Sequence, residues 1–372
     1  MRASIGVIRE NFYKIVSMRR CPLAMHPPTH EEGTTRWAKF LYHHPLISPM
    51  IPYSIDFNAL SKKIRNMGFS KILLQLPEGM QIYAQEIADM LDDFEVLIYA
   101  NPCYGACDVE TYEGMLTVQF GHSRIPNINY PENVIFVESF SSASFENVLD
   151  SFARSTSCRK IGIVASIQHV KAIETAKRFL EDRGFMVRVG RGDSRITYPG
   201  QVLGCNFSAA REVGDVDCFV FLGTGEFHGL GVKIATGKDV YVLDPYSDRI
   251  TEIDTDKFIR QRYAAIARAR DAEKFGIILS TKIGQRRWKL AKMVAKEIEI
   301  SGRRAYFIMT NNIVPERFYY KVDAYVNTAC PRITYDDFSR FNKVVLTPME
   351  ALMAIGKRSM ENLPFDEIVE VD

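Results

Sequence analysis

Three apolar runs along the chain open alike, with a lysine followed by an almost unbroken hydrophobic stretch: Lys71-Ile-Leu-Leu-Gln-Leu-Pro77, Lys160-Ile-Gly-Ile-Val-Ala-Ser166 and Lys274-Phe-Gly-Ile-Ile-Leu-Ser280. The lack of polar alternation predicts strands buried on both faces, as in a parallel sheet covered by helices. A helical stretch follows each run, over Gly79–Leu91, Ile167–Arg183 and Lys282–Ile300. A second strand then follows each helix, at Phe94–Ala100, Phe185–Gly190 and Arg304–Met309. The first strands start 160−71 = 89 and 274−160 = 114 residues apart. Strand–helix–strand units at such intervals predict an α/β protein of three related αβα domains with short parallel sheets around a central site. The expected bounds are 52–150, 151–255 and 256–372, the first opening near a helix Phe57–Met67.

Residues 1–51 break this plan. They hold Pro27-Pro28, Pro45 and Pro49 with His26, His30, His43 and His44, and read as a loose extension. One cysteine, Cys21, among irregularly spaced histidines is a poor zinc pattern.

With 372 residues the chain exceeds what one core usually serves, which agrees with several domains. The 47 Lys+Arg balance 45 Asp+Glu, so net charge gives no reason to expect direct nucleic-acid binding. The segment holding Arg260, Arg262, Arg268, Arg270, Arg286, Arg287 and Lys289 is locally basic; it reads as a solvated helix face, with docking of a partner as the alternative. No apolar run approaches the ~20 residues of a membrane span, and the N-terminus lacks the features of a secretory signal. Seven scattered cysteines are not a secreted disulfide framework and suit a reducing cytoplasm.

Three of those cysteines lie in Gly-, Asn- or Pro-rich loops bordering strands: Asn101-Pro-Cys-Tyr-Gly-Ala-Cys107-Asp-Val-Glu110, Gly200-Gln-Val-Leu-Gly-Cys205-Asn-Phe-Ser208 and Val326-Asn-Thr-Ala-Cys330-Pro-Arg332. Cys107 and Cys205 each precede a short helix-like stretch and a strand (Met115–Gln119, Val216–Leu222), whereas Cys330 follows its strand, Asp323–Asn327. All three can therefore come from one sheet edge, where parallel α/β sheets bind ligands. Three thiolates suit a 4Fe–4S cluster with one iron left open, but scattered cysteines also serve as packing, and the residues alone leave both readings open. Cys158 and Cys218 are expected to be packing thiols.

Leu76-Pro77-Glu78-Gly79, Tyr104-Gly-Ala-Cys107-Asp108, Gly121-His122-Ser123, Gly204-Cys205 and Thr328-Ala-Cys330-Pro331 resemble, in order and spacing, the archaeal diphthamide synthase family, over about residues 52–356. The resemblance implies a homodimer that binds a 4Fe–4S cluster through Cys107, Cys205 and Cys330. It also implies transfer of a 3-amino-3-carboxypropyl group from S-adenosylmethionine to a histidine of translation elongation factor 2 by a radical route, with electrons from a separate donor. Within that frame the segment Pro77, Glu78 and Gly79, where a strand turns into a helix, offers its free backbone N–H groups (those of Glu78 and Gly79) to the methionyl carboxylate, or is a plain helix start. Gly223, Thr224, Gly225 and His228 line the adenosyl pocket, or form a tight turn with a surface histidine. His122 reads as a satisfied polar residue.

Within the loop of Cys107, the small Gly105-Ala106 and a helix start at Asp108 favour Cys107 over Cys103 as ligand. Quinolinate synthase is the alternative enzyme, since it also places one cysteine from each of three αβα domains on a 4Fe–4S cluster. A conventional radical enzyme fits less well, because Glu110 stands where its third cysteine belongs. A non-enzymatic scaffold with buried thiols is the remaining reading.

Overall fold

The computed structural model describes residues 51–101 and 103–372, so the expectations for the N-terminal extension fall outside the described residues. Three separate parallel sheets carry the fold. The first contains β1 (Lys71–Gln75), β2 (Glu95–Ile98), β3 (Leu116–Phe120) and β4 (Val134–Val137) in the order β2-β1-β3-β4. The second contains β5 (Lys160–Ala165), β6 (Met186–Arg188), β7 (Cys218–Leu222), β8 (Asp239–Asp244) and β9 (Arg249–Glu252) in the order β6-β5-β7-β8-β9, with β9 antiparallel. The third contains β10 (Lys274–Ser280), β11 (Arg304–Thr310), β12 (Ala324–Asn327) and β13 (Val344–Leu346) in the order β11-β10-β12-β13. All three thus repeat one order, second-first-third-fourth, and the chain reverses its winding between the first and third strands. That reversal opens a crevice at the C-terminal strand ends.

The unalternating patterns have the expected cause. Every residue of β3, β7 and β12 is buried, because apolar groups cover both faces of each sheet. In the second sheet Ile161, Ile163 and Val220 pack with Val148, Phe152 and Ile173 on one face, while Val164, Phe219 and Phe221 pack with Phe207 and Val232 on the other. Each such side chain contributes about 1.5–3 kcal/mol on burial.

Two expectations need correction. Cys158 and Cys218 are not separate packing thiols but form a disulfide with a Cα–Cα distance of 6.3 Å. Cys158 lies just before β5 and Cys218 begins β7, which pairs with β5 at Ile161↔Cys218. Parallel neighbours bring their starting ends together, and so bring the two sulfurs together. In the basic segment Arg260, Arg268, Arg270 and Arg286 are exposed as expected, but two arginines are buried. Arg262 is 2% exposed and bonds Glu350 with Nε at 2.8 Å, and Arg287 is 4% exposed and pairs with Asp366 at 2.7 Å. Lys289 is exposed.

Candidate functional site

Each cysteine loop is fastened to the C-terminal ends of its own sheet. In the first, Gln75 at the end of β1 donates Nε2 to the Asp108 carbonyl at 2.8 Å, and Gln119 of β3 donates to the same oxygen at 3.1 Å. The loop of Cys103 and Cys107 therefore spans the β1/β3 crevice. In the second, Ala165 at the end of β5 donates to Gly200 O and accepts from Val202 N at 2.8 and 2.9 Å, which leads the chain directly into Gly204-Cys205. In the third, Cys330 follows β12; the Asn327 side chain donates to its carbonyl at 2.8 Å, and Pro331 starts the helix Pro331–Asp336.

The loops also touch one another. Gly284, in the turn after β10, packs against Cys107 so closely that an added Cβ would collide with the Cα and Cβ of Cys107. Gly284 N donates to Cys107 O at 3.3 Å, and Gln285 donates Nε2 to Cys107 Sγ at 3.3 Å. Lys282 forms a buried ion pair with Asp108 at 2.8 Å. Ile368 N donates to Cys205 O at 2.8 Å, while Arg287 donates to the carbonyls of Thr328 and Ala329 just before Cys330.

Cys107, Cys205 and Cys330 are all free and partly exposed. Burial pushes the Cys205 thiol up to about 11 and the Cys330 thiol to about 12, and the nearby Cys107 raises both further. Cys205 likewise raises Cys330. Burial also raises Cys107, against the pull of the Gln285 hydrogen bond. Among the described residues no three His, Cys, Asp or Glu side chains stand close enough to hold a single metal ion.

The helix start expected at Asp108 is absent: residues 108–112 form no regular element, because the Asp108 carboxylate pairs with Lys282 and also accepts from Tyr104 N at 3.3 Å. Cys107 therefore gains nothing from a helix terminus. Cys103 differs in another way. It is 2% exposed, and its thiol bonds the carbonyls of Gly105 and Asp108, both at 3.3 Å.

The remaining candidates border this junction. Pro77 precedes a 3-10 helix, Glu78–Tyr83, and touches the cysteine loop through Leu76 O, which accepts from Cys103 N at 3.0 Å. Gly121 has φ +81° and meets Pro77 so closely that a side chain there would strike its ring. His122 is half-buried with Nδ1 3.9 Å from Cys103 Sγ, and burial lowers its pKa to about 4. Gly223, Thr224 and Gly225 form the turn between β7 and the helix Phe227–Thr236. His228, stacked on Phe221 at 5.5 Å, is also lowered to about 4, by burial and then by Arg332. Arg332 lies 4.6 Å over Phe227, which joins this turn to the Cys330 loop. Sequence reasoning missed Arg195, Lys282, Gly284, Gln285 and Asp366. Only Gly284, a glycine four residues past the end of a buried strand, carried a usable signal.

The chain matches the model of the diphthamide synthesis protein family over residues 76–364, a span that includes all three cysteines. It is 39% identical over 329 residues to 2-(3-amino-3-carboxypropyl)histidine synthase of Pyrococcus horikoshii, covering 85% of this chain and 94% of that protein. It is 30% identical to subunit 1 of the Gallus gallus enzyme of that name, covering 82% and 77%. The crystal structure of Dph2 from Pyrococcus horikoshii with a 4Fe–4S cluster superposes with a TM-score of 0.79 at 37% identity, covering 86% of this chain and 95% of that one. With this breadth of agreement in sequence and fold, the chain belongs to the diphthamide synthesis protein family.

Proposed function

We propose that this chain catalyses the first step of diphthamide biosynthesis. It transfers a 3-amino-3-carboxypropyl group from S-adenosylmethionine to a histidine of translation elongation factor 2, using a 4Fe–4S cluster held by Cys107, Cys205 and Cys330. The observation that carries this reading is that three free, partly exposed cysteines stand in loops fastened to the ends of three sheets, in a chain so similar to a histidine synthase. The donor set fits the cofactor: three sulfurs bind three irons and leave the fourth open to substrate. Their raised pKa values mean that loading releases protons and that cationic iron replaces them.

When bound, the cluster would supply the electron that splits the bond from sulfur to the methionine γ-carbon; methylthioadenosine leaves, the 3-amino-3-carboxypropyl fragment bonds to C2 of the target imidazole, and the C2 proton together with one electron, returned to the oxidised cluster, leaves to restore the aromatic ring. The chain positions the reactants. The backbone N–H groups of Glu78 and Gly79, directly after Pro77, face the methionyl carboxylate, and the Gly223-Thr224-Gly225 turn with His228 borders the adenosyl group, with His228 neutral above about pH 4. His122 is likewise neutral and keeps positive charge away from the sulfonium.

The division into domains 52–150, 151–255 and 256–372 accompanies this reading, one of the three large sheets to each. A homodimer is supported by β11, an edge strand among the described residues with Phe307 45% and Met309 70% exposed, since such edges are normally covered. No helix of the described residues is long and apolar enough to cross a membrane; elongation factor 2 as substrate is what supports a cytoplasmic setting.

The test is anaerobic reduction with S-adenosylmethionine and elongation factor 2. Methylthioadenosine and a 3-amino-3-carboxypropyl mass on one histidine are expected. 5′-Deoxyadenosine as the main nucleoside product would contradict the proposed bond cleavage.

A further inference from the structure

Three buried cations border the cysteine junction, and they are not equivalent. Lys282 is neutralised by Asp108 and Arg287 by Asp366. Arg195 forms no ion pair among the described residues. It is 1% exposed, and the acid beside it in sequence is engaged elsewhere: Asp193 accepts from the Arg195 backbone N at 2.9 Å and from Asn206 at 2.8 Å. The guanidinium makes a single hydrogen bond to the described backbone, a long one from Nη2 to Gly284 O at 3.5 Å. Its Nε and Nη1 are buried with no partner.

A buried charge without a counter-ion is among the most costly arrangements in a protein, and unsatisfied guanidinium nitrogens add to the cost. Something at this site must compensate it. Gly284, whose carbonyl accepts from Arg195, is packed against Cys107, and Asp193, two residues before Arg195, accepts from Asn206 next to Cys205. The guanidinium stands on the protein side of the junction, away from solvent.

We propose that Arg195 is the charge partner of the cluster, its free Nε and Nη1 groups donating to thiolate or sulfide sulfur. This inference rests on the cluster reading above. A 4Fe–4S core on three thiolates is anionic in both oxidation states and more so when reduced, so a fixed cation beside it favours the reduced state. Hydrogen bonds to the sulfurs act in the same direction. Arg195 is thus a positioning and tuning residue that needs no contact with S-adenosylmethionine.

The experiment is a redox titration of the reconstituted cluster in the parent protein, in Arg195→Gln and in Arg195→Lys, with iron content measured on the same samples. Arg195→Gln should keep its iron, yet at the parent midpoint its ratio of reduced to oxidised cluster should fall about tenfold, a shift of ~59 mV to more negative potential for one electron. Arg195→Lys, which keeps the charge, should shift less. A fully loaded Arg195→Gln protein titrating at the parent potential would overturn the inference.

Melting of the metal-free proteins covers the case in which the variant holds no iron. Removing an uncompensated cation should leave metal-free Arg195→Gln melting no lower than the metal-free parent. A lower melting temperature would make Arg195 an ordinary structural support and would also overturn the inference. Absence of iron from the parent protein would instead refute the cluster reading itself, a result distinct from either.

Discussion

Cys103 and Cys107 lie four residues apart in one loop, yet their settings differ. The Cys103 thiol is enclosed and donates to two backbone carbonyls, whereas Cys107 is partly open and within charge range of Cys205 and Cys330. Cys103→Ser should therefore retain its iron and most turnover, and Cys107→Ser should lose both; iron lost only from the Cys103 variant would reverse the assignment. His228 gives a second test. Its folded pKa of about 4 lies below the ordinary 6.5, so the unfolded chain takes up the proton first. The stabilisation is complete above about pH 6.5 and is lost as pH falls toward 4. In metal-free protein, His228→Gln should show a shallower fall in melting temperature across that window, and parallel curves would contradict it. At this scale the sequence was legible for the cysteines, whose chemistry is written in their residue type. It was not legible for Arg195 or Lys282, because burial beside a sulfur from a distant loop leaves no local pattern.

The helix expected over Lys282–Ile300 begins only at Trp288. The preceding turn is held instead by the Lys282–Asp108 pair and by the contact of Gly284 with Cys107, both formed with residues far away in sequence. Likewise Gly79–Leu91 divides into a 3-10 helix, Glu78–Tyr83, and a short α-helix, Ala84–Asp89, where periodicity predicted one continuous element. The strands were read more faithfully, since double-sided burial leaves an unbroken apolar run that only a covered sheet strand of that length satisfies. Gly284→Ala should destabilise the protein by about 1–3 kcal/mol through overpacking and lower its iron content, because the new methyl meets the backbone of Cys107. Denaturant unfolding with iron assay checks this, and parent-like values in both would show that the turn gives way.

Across the whole molecule, the repeated order of three sheets explains why the architecture could be anticipated from three similar strand openings. What ties the sheets together was not visible, because the final residues carry no regular element and no motif. Asn127 bonds Val369 O at 3.0 Å, Glu367 accepts from Phe207 N at 2.7 Å, Ile368 N bonds Cys205 O, and Asp366 neutralises Arg287 behind Cys330. One extended segment thus contacts all three sheet regions. Asp366→Asn leaves the Arg287 charge buried and uncompensated, which should cost about 3–5 kcal/mol and loosen the Cys330 loop. The readout is a fall in melting temperature together with reduced iron, and an unchanged melting temperature would contradict this role.

The central claim is that three thiols from three sheets hold one cluster, and the most direct measurement is iron per chain, with the thiolate-to-iron absorption, after anaerobic reconstitution of single alanine variants. Cys107→Ala, Cys205→Ala and Cys330→Ala should each lose most of their iron and the absorption, while Cys158→Ala and Cys218→Ala keep both despite the broken disulfide. Full cluster occupancy in Cys330→Ala would contradict the account, since the third sheet would then contribute no ligand.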